Sequence, residues 1–553
     1  MRKATQKGVL LAVALMALAQ GAAAQTSDLV KPRSSVLIVL DSSQAMRRDR
    51  LAEAKRAIVR AVRKLPEGTP VGLRVYGGKA SAKDHGTACS DSRALVPVGP
   101  ADSGEMRSAL KDLKPTGLSP VSLAILRGAK DLPPSGSPTI VLVGGGADDC
   151  GPPPECQTIT GARQPVRVDA IGFQTDAAGR RGLQCAARRN GGVYSDAATP
   201  DALEPELEAA LGRATRDRRP LGKPLAGGIA ESQATFAKPG TYVDSIAPDT
   251  ERWYTVPAPS GGPPSIAATL VAPPTGDVSA PGSSLGLSAT SASSNGTTIA
   301  GATTNAPTAS NLFAFDPSRS ITASMTAPKA DTPNSVRVVL HDSPDKQLAQ
   351  KLHGRSLALE LLFGPTPTAT QTPTAPGPIV GGVSFNDAPP VGNGTFSDAV
   401  DTRGAVFYKV HLDAGQKLTA TTALDVGGLD PSVTGTSALI VRLYGPLRGK
   451  DAEAQQLGPG DPATHLKTTS AQLGPVKQTG DYYVSAGVND FLPDSPKPVQ
   501  LPLSLTVSTA SSAPKPPPAE PSPGGGTSWV VFAAIGAAVL LAIGAGGLVL
   551  RRR

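Results

Sequence analysis

The chain repeats itself, and the repeat constrains its architecture more than any other feature. Slid along its own length, the sequence falls into register with itself at an offset of 154 residues, which carries Gly240 onto Gly394. Gly227-Gly228-Ile229, Gly240-Thr241-Tyr242, Asp244, Trp253-Tyr254, Val256 and Leu270 match Gly381-Gly382-Val383, Gly394-Thr395-Phe396, Asp398, Phe407-Tyr408, Val410 and Leu424. A constant offset that preserves glycines, an acid and aromatics means two copies of one domain. Short β-prone runs such as Phe407–Leu412, Leu439–Leu443, Tyr482–Ala486 and Leu503–Val507 alternate with Gly, Pro and Asp. That spacing predicts β-sandwiches over residues 222–363 and 379–508. With 553 residues, 60 Gly, 54 Pro and only 4% aromatics, no single core holds the chain together, and several modest domains are expected. The Pro/Thr-rich stretch 364–378 and the Pro/Gly-rich stretch 509–528 read as an extended linker and a stalk.

Ahead of the repeats the pattern changes. Ser35–Leu40 is a continuous apolar run closed by Asp41, and Leu51–Leu65 has apolar residues at helical spacing. Val71–Tyr76 is the next strand, Val121–Leu132 a helix, Thr139–Val143 and Val166–Ile171 buried strands. Ala178–Asn190 follows as a helix, Gly192–Tyr194 as a short strand and Pro200–Leu211 as a closing helix. Alternating strand and helix with uninterrupted apolar strands predicts a doubly wound, Rossmann-like α/β domain with a mainly parallel sheet. Ligands of such folds bind at the carboxyl ends of the strands, where Asp41, the loop near Thr116 and the loop after Val143 converge.

Over residues 33–213 the chain resembles the von Willebrand factor type A (VWA) domain in its bacterial exported form. The stretches that carry the resemblance are Val39-Leu40-Asp41-Ser42-Ser43, Val71–Gly77, Pro115–Pro120, Ile140–Val143 followed by Cys150-Gly151, Ala170–Phe173, and Leu183–Cys185 leading to Gly191–Tyr194. The resemblance implies a metal-ion-dependent adhesion site (MIDAS), in which a D-x-S-x-S loop, a later Thr and a later Asp hold Mg2+ or Mn2+ with one position open to a ligand carboxylate. Hard oxygen donors in octahedral array suit such ions. Asp41 and Ser43 match the first two ligands, Ser119 stands where the Thr belongs, Ala45 replaces the third hydroxyl and Gly145 replaces the later Asp. Asp148 and Asp149 follow closely enough to be candidate compensating acids. Without metal, Asp41 and Ser43 would instead cap the helix that follows.

The four cysteines, Cys89, Cys150, Cys156 and Cys185, all lie in this domain. In an exported chain they point to two disulfides. Of three possible connectivities, the short spacer favours Cys150 with Cys156, leaving Cys89 with Cys185. No C-x-x-C pair occurs and the five histidines are scattered, which disfavours zinc and redox catalysis.

The ends set an expected topology. Residues 1–24 show the basic, apolar and Ala-x-Ala regions of a secretory signal, with no cysteine after Ala24 to suggest a lipoprotein. Trp529–Leu550 is an uncharged apolar run followed by Arg551–Arg553, read as one transmembrane helix with a cytoplasmic basic tail and the body outside the plasma membrane. Six of the 54 Lys and Arg residues lie in these two ends and none of the 45 acids does, so the net charge of +9 falls to +3 between them. Nucleic-acid binding loses its electrostatic basis. Gly282-Ser-Ser-Leu-Gly286 matches G-x-S-x-G but lacks the strand and helix that a nucleophile elbow requires. No catalytic residues are assigned, and the chain is expected not to be an enzyme. The function expected from sequence is a cell-surface, single-pass interaction protein that binds a protein or envelope polymer through the degenerate adhesion site. The alternative is a structural or accessory subunit of an envelope complex with a metal-independent head.

Overall fold

The computed structural model describes residues 34–134, 138–151, 166–216, 220–257, 265–271, 286–292, 298–305, 321–326, 334–341, 356–364, 371–402, 404–427, 438–458, 460–489 and 499–511. The expected signal, the span 529–550 and Cys156 lie outside these residues, as do Gly282–Leu285. Among the described residues no helix is long and apolar enough to cross a membrane.

The N-terminal part is a six-stranded sheet of order β3-β2-β1-β4-β5-β6, with β1 (Val36–Asp41), β2 (Pro70–Tyr76), β3 (Ser92–Pro100), β4 (Thr139–Gly144), β5 (Arg167–Phe173) and β6 (Tyr194–Ala197). All neighbours pair in parallel except β3, an antiparallel edge strand. The continuous apolar run of β1 is explained by helices on both faces: Val36, Ile38 and Leu40 enter one core cluster, Leu37 and Val39 the other. The helices are α1 (Arg50–Arg63), α2 (His85–Ala88), α3 (Ser103–Leu110), α4 (Val121–Asp131), α5 (Ala177–Arg189) and α6 (Pro200–Thr215). Helix α1 buries Leu51, Ala54, Ala57, Ile58, Ala61 and Val62, a stripe at the helical period. The expected doubly wound α/β domain is present. Strand β3 and helices α2 and α3 go beyond what periodicity shows: the two helices are short, and β3 is an edge strand whose burial does not alternate strictly.

Each repeat is a pair of packed sheets. Repeat 1 contains β7 (Lys223–Pro224), β8 (Thr235–Phe236), β9 (Gly240–Ile246), β10 (Thr250–Val256), β11 (Ser265–Val271), β12 (Gly286–Ala292), β13 (Thr298–Asn305), β14 (Ile321–Thr326), β15 (Asn334–His341) and β16 (Leu357–Gly364). Repeat 2 contains β17 (Gly377–Pro378), β18 (Gly394–Asp401), β19 (Ala405–Leu412), β20 (Gln416–Asp425), β21 (Ala438–Tyr444), β22 (Lys450–Gln456), β23 (Leu466–Leu473), β24 (Gly480–Asn489) and β25 (Gln500–Ser511). The sheet orders β14-β11-β16-β9-β7 and β23-β20-β25-β18-β17 correspond strand for strand, as do β13-β12-β15-β10 and β22-β21-β24-β19. Two segments expected to be extended differ at their edges. Gly377–Pro378 adds to the sheet edge beside Phe396–Ser397, and residues 509–511 belong to β25, where they extend its ladder with Gln416–Leu418 of β20.

The repeated residues have a structural purpose. In repeat 1 one oxygen of Asp244 accepts the Gly227 N–H at 2.8 Å and the Tyr254 hydroxyl at 2.8 Å. In repeat 2 Asp398 accepts the Gly381 N–H at 2.7 Å and the Tyr408 hydroxyl at 2.9 Å. This Gly–Asp–Tyr latch ties the segment entering each sandwich to its core, and burial beside the carboxylate pushes both phenols up.

The modules also touch one another. Glu360 of β16 is 0% exposed and meets Arg448 of repeat 2, itself 1% exposed, at 3.3 Å. The head rests on repeat 2 by its lower end: Gln500 donates its N–H to the Gly191 carbonyl at 3.1 Å. Arg216, just past α6, lies 3.6 Å from Asp398.

Two predictions follow from these contacts. Tyr254→Phe and Tyr408→Phe should each remove about 1–2 kcal/mol, the value of a buried hydrogen bond to a carboxylate, and lower the melting temperature read by circular dichroism. Desolvation raises Glu360 to about 7 in spite of the Arg448 field. An acid raised on folding releases its proton less readily than in the unfolded chain, so its contribution is full below pH 4.5 and is lost as pH rises toward 7. Stability should therefore fall across that interval, and Glu360→Gln should flatten the slope.

Candidate functional site

The site forms where β1 ends. Asp41 is fully buried, and its two carboxylate oxygens are both engaged by backbone: Oδ1 accepts the Ser43 N–H at 2.7 Å and Oδ2 accepts the Gly145 N–H at 3.0 Å. Burial raises its pKa, the Ser43 and Gly145 hydrogen bonds oppose the rise, and the nearby Asp149 charge adds to it. Ser43 caps the short 3-10 turn Gln44–Met46, its hydroxyl accepting the Ala45 N–H at 3.2 Å. The Ser119 hydroxyl donates to that of Ser43 at 2.7 Å. The structure thus brings Asp41, Ser43 and Ser119 together, as the sequence implied.

The acids that follow are engaged elsewhere. Asp148 accepts the Ser122 N–H at 2.8 Å and the Ser122 hydroxyl at 2.7 Å, and its other oxygen accepts the Cys150 N–H at 2.9 Å. It caps the first turn of α4 from another loop, where a negative charge is favoured and where Pro120 supplies no side-chain cap. Asp149 accepts the Ser119 N–H at 3.0 Å and donates its own N–H to the Ser119 carbonyl at 3.2 Å. Both carboxylates lock the β4 loop onto the Ser119 loop.

Glycine lets the loops approach this closely. Gly77 has φ +70°, and a Cβ there would lie 2.2 Å from the Leu118 carbonyl oxygen and 2.8 Å from the Ser43 Cβ. The Gly117 N–H donates to the Gly77 carbonyl at 2.8 Å, and the Gln44 N–H donates to the Gly117 carbonyl at 2.9 Å. A disulfide joins Cys89, at the end of α2, to Cys150, with Cα atoms 5.3 Å apart. This corrects both expected pairings, Cys150 with Cys156 and Cys89 with Cys185. Sequence distance favoured the short loop, but Asp148 pins Cys150 over α4, beside the loop that carries Cys89. Cys185 is itself disulfide-bonded.

The residues present do not fit a divalent ion. Mg2+ takes about six oxygens in near-ideal octahedral geometry. Here Asp41, Ser43 and Ser119 supply the matched side-chain oxygens, Ala45 and Gly145 supply none, and the three donors are at most 1% exposed. Among the described residues no group of three His, Cys, Asp or Glu side chains is placed to hold a metal. A carboxylate cannot be restored simply, since a Cβ on Gly145 would stand 2.7 Å from the Met46 sulfur. The sequence signal for this was Gly145 itself; the role of its N–H as the substitute partner for Asp41 was not legible.

No family model matches the chain. It is 27% identical over 187 residues to the uncharacterized protein YwmD of Bacillus subtilis (strain 168), a match covering 32% of this chain and 84% of YwmD. Among solved structures it is similar to a von Willebrand factor type A protein from Catenulispora acidiphila, with TM-score 0.28 and 14% identity, covering 57% of this chain. The chain spans 59% of that structure's length. A second similar structure is the proximal thread matrix protein 1 of the mussel byssus with a zinc-occupied MIDAS motif, with TM-score 0.25 and 12% identity, covering 35% of this chain and 51% of that one.

Calorimetric titration of Mg2+ or Mn2+ into the oxidised chain should show no saturable binding at millimolar metal. Gly145→Asp should lower the melting temperature and still confer no binding, as overpacking beside Met46 costs about 1–3 kcal/mol.

Proposed function

We propose that the chain is an exported, membrane-held interaction protein whose VWA-like head binds a protein partner without metal, at the loops over the carboxyl ends of its strands. The observation that carries this reading is the double backbone hydrogen bonding of buried Asp41, which turns a would-be metal ligand into a pin for the loop face. The disulfide between Cys89 and Cys150 fixes two of those loops. A partner meeting loops held in this way loses little affinity to loop ordering.

The direction of the head supports the same reading. Strands β1, β2, β4 and β5 run parallel, so Asp41, Tyr76, Gly144 and Phe173 share one end of the sheet. Helices α5 and α6 run back, which brings Gly191 and Arg216 to the opposite end, the end that meets repeat 2. Among the described residues, these contacts with repeat 2 thus lie at the end of the head opposite the loop face. The leader and the apolar segment 529–550 supply the sequence support for export and anchoring. On this reading the head serves as an accessory or interaction subunit at the cell surface, and neither catalysis nor nucleic acid is involved.

Recovery of a cross-linked partner from envelope extracts tests the proposal. The partner should remain bound in EDTA. Binding should weaken at least about tenfold, or 1.4 kcal/mol, when the exposed loop residues Lys83 and Lys114 are both changed to Glu. Loss of binding in EDTA, restored by Mg2+, would contradict the metal-free mechanism.

A further inference from the structure

Repeat 1 has an outer face whose counterpart in repeat 2 is already occupied. On repeat 2 the sheet containing β19, β21 and β24 turns Phe407, Tyr444 and Tyr483 away from the sandwich core, and Phe385 packs against all three with ring centroids 5.0 Å apart in each pair. The Arg448 guanidinium lies 5.2 Å over Phe385. Phe385, from repeat 2's own entering segment, covers these rings, and repeat 1 meets that cover: Glu360, on the outer side of β16, ion-pairs with Arg448 at 3.3 Å and accepts a hydrogen bond from Ser384.

The 154-residue offset carries Phe407 back to Trp253. Register places Trp253 opposite Arg337 and Thr255 beside Phe236, with Tyr254 and Val256 facing the core. Trp253, Phe236, Arg337 and Glu251 therefore share the outer face of repeat 1. Arg337 lies 5.8 Å over the indole, as Arg448 lies over Phe385. Yet this face stays open to solvent: Ile229 is 68% and Phe236 55% exposed, two of the five large apolar side chains exposed among the described residues. Ile229 also lines a cleft of about 380 Å3 with Asp249, Glu251, Arg252, Arg337 and Val339. Exposed apolar groups gathered beside a cleft mark an interaction surface.

The surface that would occupy it follows from the same equivalence. Repeat 1 meets repeat 2 with the outer side of its β16 sheet, and the matching surface on repeat 2 is the outer side of its β25 sheet. Pairing of Glu360 with Val243 and of Ser504 with Ser397 makes Ser504 the counterpart of Glu360. Thr395, Ser397 and Thr506 are exposed on that side, giving a hydroxyl surface with no acid at the central position. None is needed, because Arg337 has a carboxylate in its own module: Glu251 accepts from its Nε at 2.7 Å and from the Trp253 indole N–H at 2.8 Å.

We propose that the Trp253 face of repeat 1 binds the hydroxyl-bearing β25 face of repeat 2 in a second copy of this chain. The contact is heterologous, so each copy keeps one free face of each kind and assembly continues head to tail. This is independent of what the head binds.

Sedimentation velocity of the full-length chain in mild detergent tests it. The expected result is a mass that grows beyond a dimer with concentration. Phe236→Asp combined with Ile229→Asp, both exposed positions, should abolish the growth while leaving the melting temperature unchanged. Thr506→Arg, on the other face, should abolish it equally. Mixing the two variants should give a dimer and nothing larger, because one intact face of each kind remains. A wild-type chain monomeric at every concentration, or association that survives Thr506→Arg, would overturn the proposal.

Discussion

Asp41 sits at the end of the central strand with no solvent contact, and its charge is balanced by two backbone N–H groups from different loops. An unpaired buried carboxylate would be strongly destabilising, so Ser43 and Gly145 must hold their places for β1 to end where it does. The geometry spreads outward from that requirement. Ser43 orients the 3-10 turn and receives the Ser119 hydroxyl; Ser119 is clasped by Asp149; Asp148 caps α4; and Cys150, one residue beyond Asp149, is bonded to Cys89. Four loops become one surface because a single acid needs two donors.

The opposite end of the head has a different task. There the carbonyl of Gly191 and the guanidinium of Arg216 meet Gln500 and Asp398 of repeat 2. Asp398 is also the acceptor of the Gly–Asp–Tyr latch, so the residue that closes repeat 2 on itself also faces the head. Glu360 and Arg448 play the matching part between the two sandwiches. Buried ion pairs of this kind specify a geometry more than they stabilise it, and here they set how three modules abut.

Much of this was legible in the sequence. The constant offset disclosed two equivalent modules, and their sheets correspond strand for strand. The apolar run before Asp41 marked a strand covered on both faces, and the periodicity of Leu51, Ala54, Ile58 and Val62 marked α1. What sequence lacked was the third dimension. The Cys89–Cys150 bridge joins residues 61 apart, and only the fold of two loops over the sheet makes them neighbours. Asp148 looked like a spare ligand because its engagement with Ser122 depends on where α4 begins. The contact between Glu360 and Arg448 has no local pattern, since each is an ordinary charged residue on its own strand or turn.

The central claim is that Asp41 is a structural acceptor whose partners are amides. Hydrogen–deuterium exchange of the full chain, compared in EDTA and in excess Mg2+ or Mn2+, addresses it most directly. Peptides covering 41–46, 117–122 and 145–150 should be strongly protected and should exchange identically in both conditions. A metal-dependent change confined to those peptides would show that the ion competes for Asp41, and would contradict the account.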